Sequence, residues 1–286
     1  PTQASPQVSG PIELLESAEL KTIAVLTDGK ISSVASASFA KVPNTPTPAA
    51  PDSPSVRENL RLWLSADSLT LADGEPVTKW SAAAGPDAIA EPHKTFEGLM
   101  TQPPTLALNA ANGQSVVRFD GVDDSLVVKG FANANLAGEP FTIFMVTQSE
   151  TDGFGMCGNG VWGSGGVPRL YLQRSAFRYN GLQNVVNLHP TNRGPTISVF
   201  MHDGQESICA ATDGVLSEPV TGLPVVPQFG SGGHLAIPFW SGNKNCAGDM
   251  AEILVYDRLL TPAERTGVEA YLADKYDINY VRRWMR

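Results

Sequence analysis

Three aspartates fall within one short turn, Asp120-Gly121-Val122-Asp123-Asp124, and are the strongest metal-ligand signal in the chain. Calcium takes about six to eight oxygen ligands, from carboxylates, backbone carbonyls and water, so Asp120, Asp123 and Asp124 are candidate Ca²⁺ ligands. The same residue types also form turns for backbone reasons alone, which leaves a purely structural reading open.

A second chemistry, sugar binding, needs aromatic faces beside amide groups. Trp162, Tyr179 with Asn180, and Trp240 with Asn243 lie in stretches rich in Gly and Asn. Loop positions of this kind are where binding residues concentrate. The alternative is that these rings cover the ends of the fold.

Nucleophilic, zinc and nucleotide chemistry find little support. Ser164 and Ser231 sit in Gly163-Ser164-Gly165-Gly166 and Gly230-Ser231-Gly232-Gly233-His234, neither of which forms the strand–elbow–helix Gly-x-Ser-x-Gly motif. With 4 His and no clustered His pattern, a zinc centre is not expected. No phosphate-cradling or dinucleotide fingerprint occurs. Cys157, Cys209 and Cys246 include no Cys-x-x-Cys pair, so one disulfide plus one thiol, or three buried thiols, are both open.

The chain has 286 residues, enough for one large β-domain or two smaller units. It is 42% hydrophobic and 17% charged, a composition that supports a sizeable core. The net charge of -9 argues against a partner that is nucleic acid, because phosphate-tracking proteins carry a basic footprint. No apolar run approaches the ~18 residues of a membrane-spanning helix, so membrane insertion is not expected. The start at Pro1 reads as a cut or processed end.

Short strands must position these groups. Residues 20–26 (LKTIAVL) and 34–42 (VASASFAKV) read as strands of a small unit over residues 1–43. The Pro-rich stretch 44–58 reads as an extended linker. From residue 59, strand patterns repeat with Gly-rich turns, as in a sandwich. Residues 60–64 (LRLWL) place Leu60, Leu62 and Leu64 on one face and Arg61 and Trp63 on the other. Residues 141–147 (FTIFMVT) are apolar on both faces, which predicts a central strand. Asp203-Gly204 and Asp213-Gly214 sit where hairpin turns belong. Residues 250–256 (MAEILVY) form the last strong strand. One helix is predicted from Pro262 to about Tyr276, with Thr261 and Glu264 as a capping box. Val268, Tyr271 and Leu272 would pack on the sheet, with Lys275 at the edge. The tail 279–286 is basic and aromatic.

Several blocks carry a resemblance. They are Leu62-Trp63-Leu64-Ser65-Ala66-Asp67, residues 73–80 (DGEPVTKW), residues 112–124 (NGQSVVRFDGVDD), and Gly248-Asp249-Met250-Ala251-Glu252 through Tyr271, Lys275 and Tyr276. Together they are similar to the laminin G-like modules of the concanavalin A-like lectin/glucanase superfamily in secreted multidomain bacterial proteins, many of them planctomycete. Residues 10–34 resemble the second half of the immunoglobulin-like C-terminal domain of chitobiases. The resemblance implies an all-β chain. It would comprise a concanavalin A-like jelly-roll β-sandwich over 59–278 with one C-terminal helix, preceded by a partial Ig-like β segment.

It also implies a secreted, periplasmic or cell-surface location, and Ca²⁺ at a sandwich rim. The expected function is a non-catalytic accessory module of a larger protein that recognises a glycan or a protein surface. The expected partners are that ligand and other domains of the same polypeptide. A structural module packing on a catalytic or multihaem electron-transfer region is the alternative from another class. A glycoside hydrolase is the third. Retaining glucanases of the superfamily carry Glu-x-Asp-x-x-Glu on one strand face, with the carboxyl groups about 5 Å apart. No such motif occurs here, and on a regular strand Asp249 and Glu252 would point to opposite faces.

Overall fold

A computed structural model describes residues 18–26, 30–39, 53–84, 88–92, 100–129, 140–149, 155–158, 170–174, 176–179, 186–188, 194–223, 233–235 and 247–278. The chain divides into two compact units, Pro1–Ala49 and Ala50–Arg286.

In the first unit, β1 (Ala18–Thr22) pairs antiparallel with β2 (Ala35–Phe39). The Ser32 hydroxyl accepts from the Ala24 N–H at 2.8 Å and braces the connection. The strands differ slightly from the expected 20–26 and 34–42: among the described residues between β1 and β2, Val25 and Ile31 form an isolated bridge, and residues 40–42 lie outside the described residues.

The second unit is an all-β sandwich of two sheets with one C-terminal helix. Its strands are β3 (Leu60–Ser65), β4 (Trp80–Ser81), β5 (Ile89–Glu91), β6 (Thr105–Ala111), β7 (Gln114–Asp120), β8 (Leu126–Lys129), β9 (Pro140–Gln148), β10 (Gly155–Gly158), β11 (Leu170–Gln173), β12 (Ala176–Tyr179), β13 (Val186–Asn187), β14 (Thr196–Asp203), β15 (Ile208–Thr212), β16 (Val215–Leu216), β17 (Gly233–Leu235) and β18 (Ala247–Tyr256). The first sheet runs β13-β12-β11-β10-β17-β8-β5-β4. The second runs β16-β15-β14-β9-β18-β7-β6, with β3 also paired to β18.

Two hydrophobic clusters make three layers. Between the sheets lie Trp80, Phe177 and Leu172 from the first and Phe119, Ile143, Phe200 and Ile253 from the second. Phe177 and Phe200 meet edge-to-face at 5.3 Å across this gap. The other cluster joins Phe144, Val146, Ile197 and Leu254 to Val268, Tyr271 and Leu272 of the helix α1 (Pro262–Tyr276). The second sheet is therefore buried on both faces. That explains why β9 is apolar at every position from Phe141 to Val146 except Thr142, whose hydroxyl donates to the Arg258 carbonyl.

Turn chemistry follows the sequence. Asn112-Gly113 and Asp213-Gly214 each have two positive φ values and close two-residue hairpins. α1 starts on the predicted Thr261–Glu264 capping box and ends on Asp277 in the left-handed region.

Leu60, residues 53–58 and Lys275 depart from sequence expectation. Leu60 shares the helix-side cluster with Trp63 and not the inter-sheet core with Leu62 and Leu64. A bulge is the reason: β18 pairs Val255 with Leu62 but Tyr256 with Leu60, so Arg61 is an extra residue that flips the phase. Residues 53–58 lie against the sandwich and are not free linker. Pro54 is buried, Arg57 stacks over the Trp63 ring at 4.7 Å, and the Val56 carbonyl accepts from the Tyr256 hydroxyl at 2.9 Å. Lys275 reaches under the helix and does not sit at its edge; its ammonium is 2.8 Å from Glu252 and 3.1 Å from Asp67.

Candidate functional site

The acidic turn joins β7 to β8. Asp120 closes β7, and its Oδ1 accepts from the Val122 N–H at 2.7 Å. Gly121 has φ +79°, and a Cβ there would lie 2.8 Å from the Ala247 nitrogen, so only glycine lets the turn press against the start of β18. Asp124 Oδ2 accepts from the Asp120 N–H at 2.9 Å. Gln102 holds the far side, donating to the Asp123 carbonyl at 3.0 Å and accepting from the Ser125 N–H at 3.2 Å.

This bracing brings ligand oxygens of Asp120, Asp123 and Asp124 within 4.8 Å of one another. Asp120 and Asp123 are exposed, and Asp124 is buried. Burial pushes the Asp124 carboxyl up to about 6, the neighbouring carboxylates of Asp120 and Asp123 add to this, and the Asp120 N–H opposes it. Three acceptor-only groups at this separation repel one another and suit a hard cation, so the donor set fits Ca²⁺.

The closing strand carries two more carboxylates. β18 loses register with β9 between Met250 and Glu252, so Ala251 is an extra residue. Met250 and Ile253 face the inter-sheet core while Ala251 and Leu254 face the helix. The strand is therefore not regular, and Asp249 and Glu252 share the helix-side face, contrary to the sequence expectation. Each is nonetheless held by its own partners. Arg118 grips Asp249 with two hydrogen bonds of 2.8 Å from Nε and Nη2. Arg118 thus pairs with Asp249 across the ladder.

Glu252 is fully buried and accepts four hydrogen bonds. Trp63 Nε1 (2.6 Å) and the Tyr271 hydroxyl (2.8 Å) donate to Oε1; Lys275 (2.8 Å) and the Tyr276 hydroxyl (2.8 Å) donate to Oε2. Burial first, and the Glu252 charge second, push both tyrosines well above their ordinary value. A bidentate pair and a four-donor cage hold these carboxylates in place; they do not leave the carboxyl groups facing each other across a groove. The sequence signal for the cage was present but dispersed: Trp63, Glu252, Tyr271, Lys275 and Tyr276 all fall in the blocks that carry the family resemblance.

The expected sugar-binding residues are not brought together by anything described. Trp162, Asn180, Trp240 and Asn243 lie outside the described residues, and Tyr179 is placed only as the last residue of β12, in register with Leu170. Cys246 also lies outside them, and Cys157 is placed on β10 by backbone alone. Cys209 is a half-buried free thiol, held by the Ser217 carbonyl at 3.3 Å.

No protein-family profile matches the chain, and no curated protein does. Solved structures do. A Trypanosoma rangeli sialidase in complex with 2,3-difluoro-KDN aligns with 82% of this chain and 36% of its own, at a TM-score of 0.51 and 16% identity. The binding domain of botulinum neurotoxin DC in complex with rat synaptotagmin II aligns with 76% of this chain and 52% of its own, at 0.50 and 11%. Domain 4 of a Geobacillus stearothermophilus GH43 arabinanase, in complex with arabinotriose, aligns with 74% and 98%, at 0.47 and 14%. The chain spans about a third of the length of the sialidase. At these identities the likenesses to the sialidase and the neurotoxin domain show a shared fold, the β-sandwich.

Proposed function

We propose that the sandwich is a non-catalytic binding module of a larger secreted protein, and that carbohydrate is its ligand. The observation that carries this reading is the commitment of the β18 carboxylates: Asp249 is clamped by Arg118, and Glu252 is enclosed under α1. An acid and a base working on a glycosidic bond must both reach the substrate from one groove. Two of the similar structures hold ligands of the expected kinds, a sugar derivative on the sialidase and a protein on the neurotoxin domain. In this proposal Ca²⁺ sits at Asp120, Asp123 and Asp124, and Trp162, Tyr179, Asn180, Trp240 and Asn243 supply the sugar contacts.

A glycan array probed with the purified chain, once with Ca²⁺ and once with chelator, tests the reading. Binding that weakens in Trp162→Ala and Trp240→Ala supports it. Failure to bind any polysaccharide in either condition removes the carbohydrate reading and leaves a protein surface as the ligand.

A further inference from the structure

The helix-side face of the second sheet continues past its buried layer. Ala107 of β6, Val116 of β7 and Val146 of β9 belong to the cluster under α1. Residues two apart on a strand share a face, so Thr105, Arg118 and Gln148 point the same way one step further along. Register joins them to Asp249 of β18 in a single row: Thr105 opposite Arg118, Arg118 opposite Asp249, and Asp249 opposite Gln148.

This row meets solvent. The Arg118 side chain is 51% exposed, and Thr105 and Gln148 are half-buried. Asp120, two residues past Arg118 on the same face, is exposed, and so is its opposite residue Ala247. Nε and Nη2 of Arg118 hold the two oxygens of Asp249. Among the described residues, Arg118 Nη1, the Thr105 hydroxyl and the Gln148 amide make no hydrogen bond.

The unused groups suit a sugar. A guanidinium only donates, whereas a hydroxyl and an amide both donate and accept. Sugar hydroxyls do both as well. Adjacent strands lie about 4.8 Å apart, so these groups are laid out at a fixed spacing across the sheet. The bidentate pair holds Arg118 in one geometry beforehand, and little side-chain freedom is lost when a ligand arrives. Charge narrows the class. Asp249 neutralises Arg118, Asp73 also acts on it, and the acidic turn begins at Asp120. The row therefore holds no uncompensated cation to meet a carboxylate or sulfate.

We propose that Thr105, Arg118 and Gln148, positioned by Asp249, form a contact surface for neutral polysaccharide, in addition to the loop aromatics. This inference rests on the reading that the sandwich binds carbohydrate.

Titration of the purified chain with neutral polysaccharides (laminarin, arabinan, galactan) and acidic ones (polygalacturonate, hyaluronan) tests it. The wild type is expected to bind a neutral polymer and to discriminate against the acidic ones. A Thr105→Val, Gln148→Ala double variant is expected to bind about tenfold more weakly, as for the loss of two modest hydrogen bonds. Its melting temperature is expected to stay unchanged, because neither side chain has a partner to lose. Arg118 is left intact, since its removal would strand the Asp249 carboxylate. The proposal is overturned if the double variant keeps wild-type affinity while Trp162→Ala or Trp240→Ala weakens binding, an outcome that leaves the carbohydrate reading standing. Preference for the acidic polymers overturns it too. A wild type that binds no polysaccharide overturns both the proposal and the reading beneath it.

Discussion

Trp63 Nε1 donates to Glu252 Oε1 at 2.6 Å, and through this bond the opening strand of the sandwich is tied to its closing strand. Tyr271, Lys275 and Tyr276 of α1 complete the cage, and Lys275 continues to Asp67 just after β3. Residues from the first and last sequence blocks of the family resemblance thus converge on one buried carboxylate. Those blocks read as a signature of how the helix docks.

Glu252→Gln tests that reading. It removes the charge that Lys275 and two tyrosine hydroxyls address and leaves a buried ammonium short of a partner. Breaking a buried pair from one side costs about 3–5 kcal/mol. Urea unfolding followed by tryptophan fluorescence should show a lower midpoint with little change in slope.

Asp213 is buried, and burial pushes its carboxyl up to about 6 against the opposing pull of the Ile197 N–H and Arg174. Its folded value lies above the ordinary aspartate value of about 3.9. The folded chain therefore holds this proton more tightly than the unfolded chain, and the group's stabilising contribution is lost as pH rises from about 4 to about 6. Asp213→Asn keeps an oxygen acceptor for Ile197 and tolerates the left-handed φ of 45°. It should flatten that fall and stabilise the chain at neutral pH by on the order of 2 kcal/mol, as measured by thermal melts at several pH values.

Calcium should raise the melting temperature, because a ligand that binds only the folded state stabilises it by mass action. A rise of a few degrees at millimolar Ca²⁺, reversed by chelator, is the expected result. Asp124→Asn should abolish the response while leaving the metal-free protein no less stable, since it relieves repulsion among three carboxylates. Identical melts with Ca²⁺ and chelator would remove Ca²⁺ from this turn.

Gly121→Ala and Gly113→Ala form a matched pair. Both glycines have positive φ, +79° and +87°, but a Cβ at Gly121 meets the Ala247 backbone at 2.8 Å, whereas one at Gly113 meets nothing within 4 Å. Gly113→Ala should cost about 1 kcal/mol of backbone strain. Gly121→Ala should cost clearly more, because backbone must move. Differential scanning calorimetry of the two variants makes the comparison.

Local signals were legible in the sequence. The β9 run, the Asp213-Gly214 turn and the Thr261–Glu264 capping box each depend on a few adjacent residues. What was hidden depends on partners far along the chain. The bulges at Arg61 and Ala251 appear only once β3 and β9 are paired with β18, and each reverses which side chains share a face. That is why strict alternation puts Leu60 on the wrong side and turns Asp249 and Glu252 apart. The acidic turn was visible as composition, but the bracing by Gln102 joins residues that no local pattern connects.

β18 lies along β9 on one edge and along β7 and then β3 on the other. The middle of the second sheet is therefore filled by β18, a strand synthesised long after the neighbours on either side of it. Until that strand emerges from the ribosome, β9 and β7 each present an open edge, and α1 has no finished sheet to cover. Such distant pairings make folding slow and leave the nascent chain exposed to misassociation. A truncation that stops before Ala247 should accumulate as an aggregate, not as a smaller sandwich.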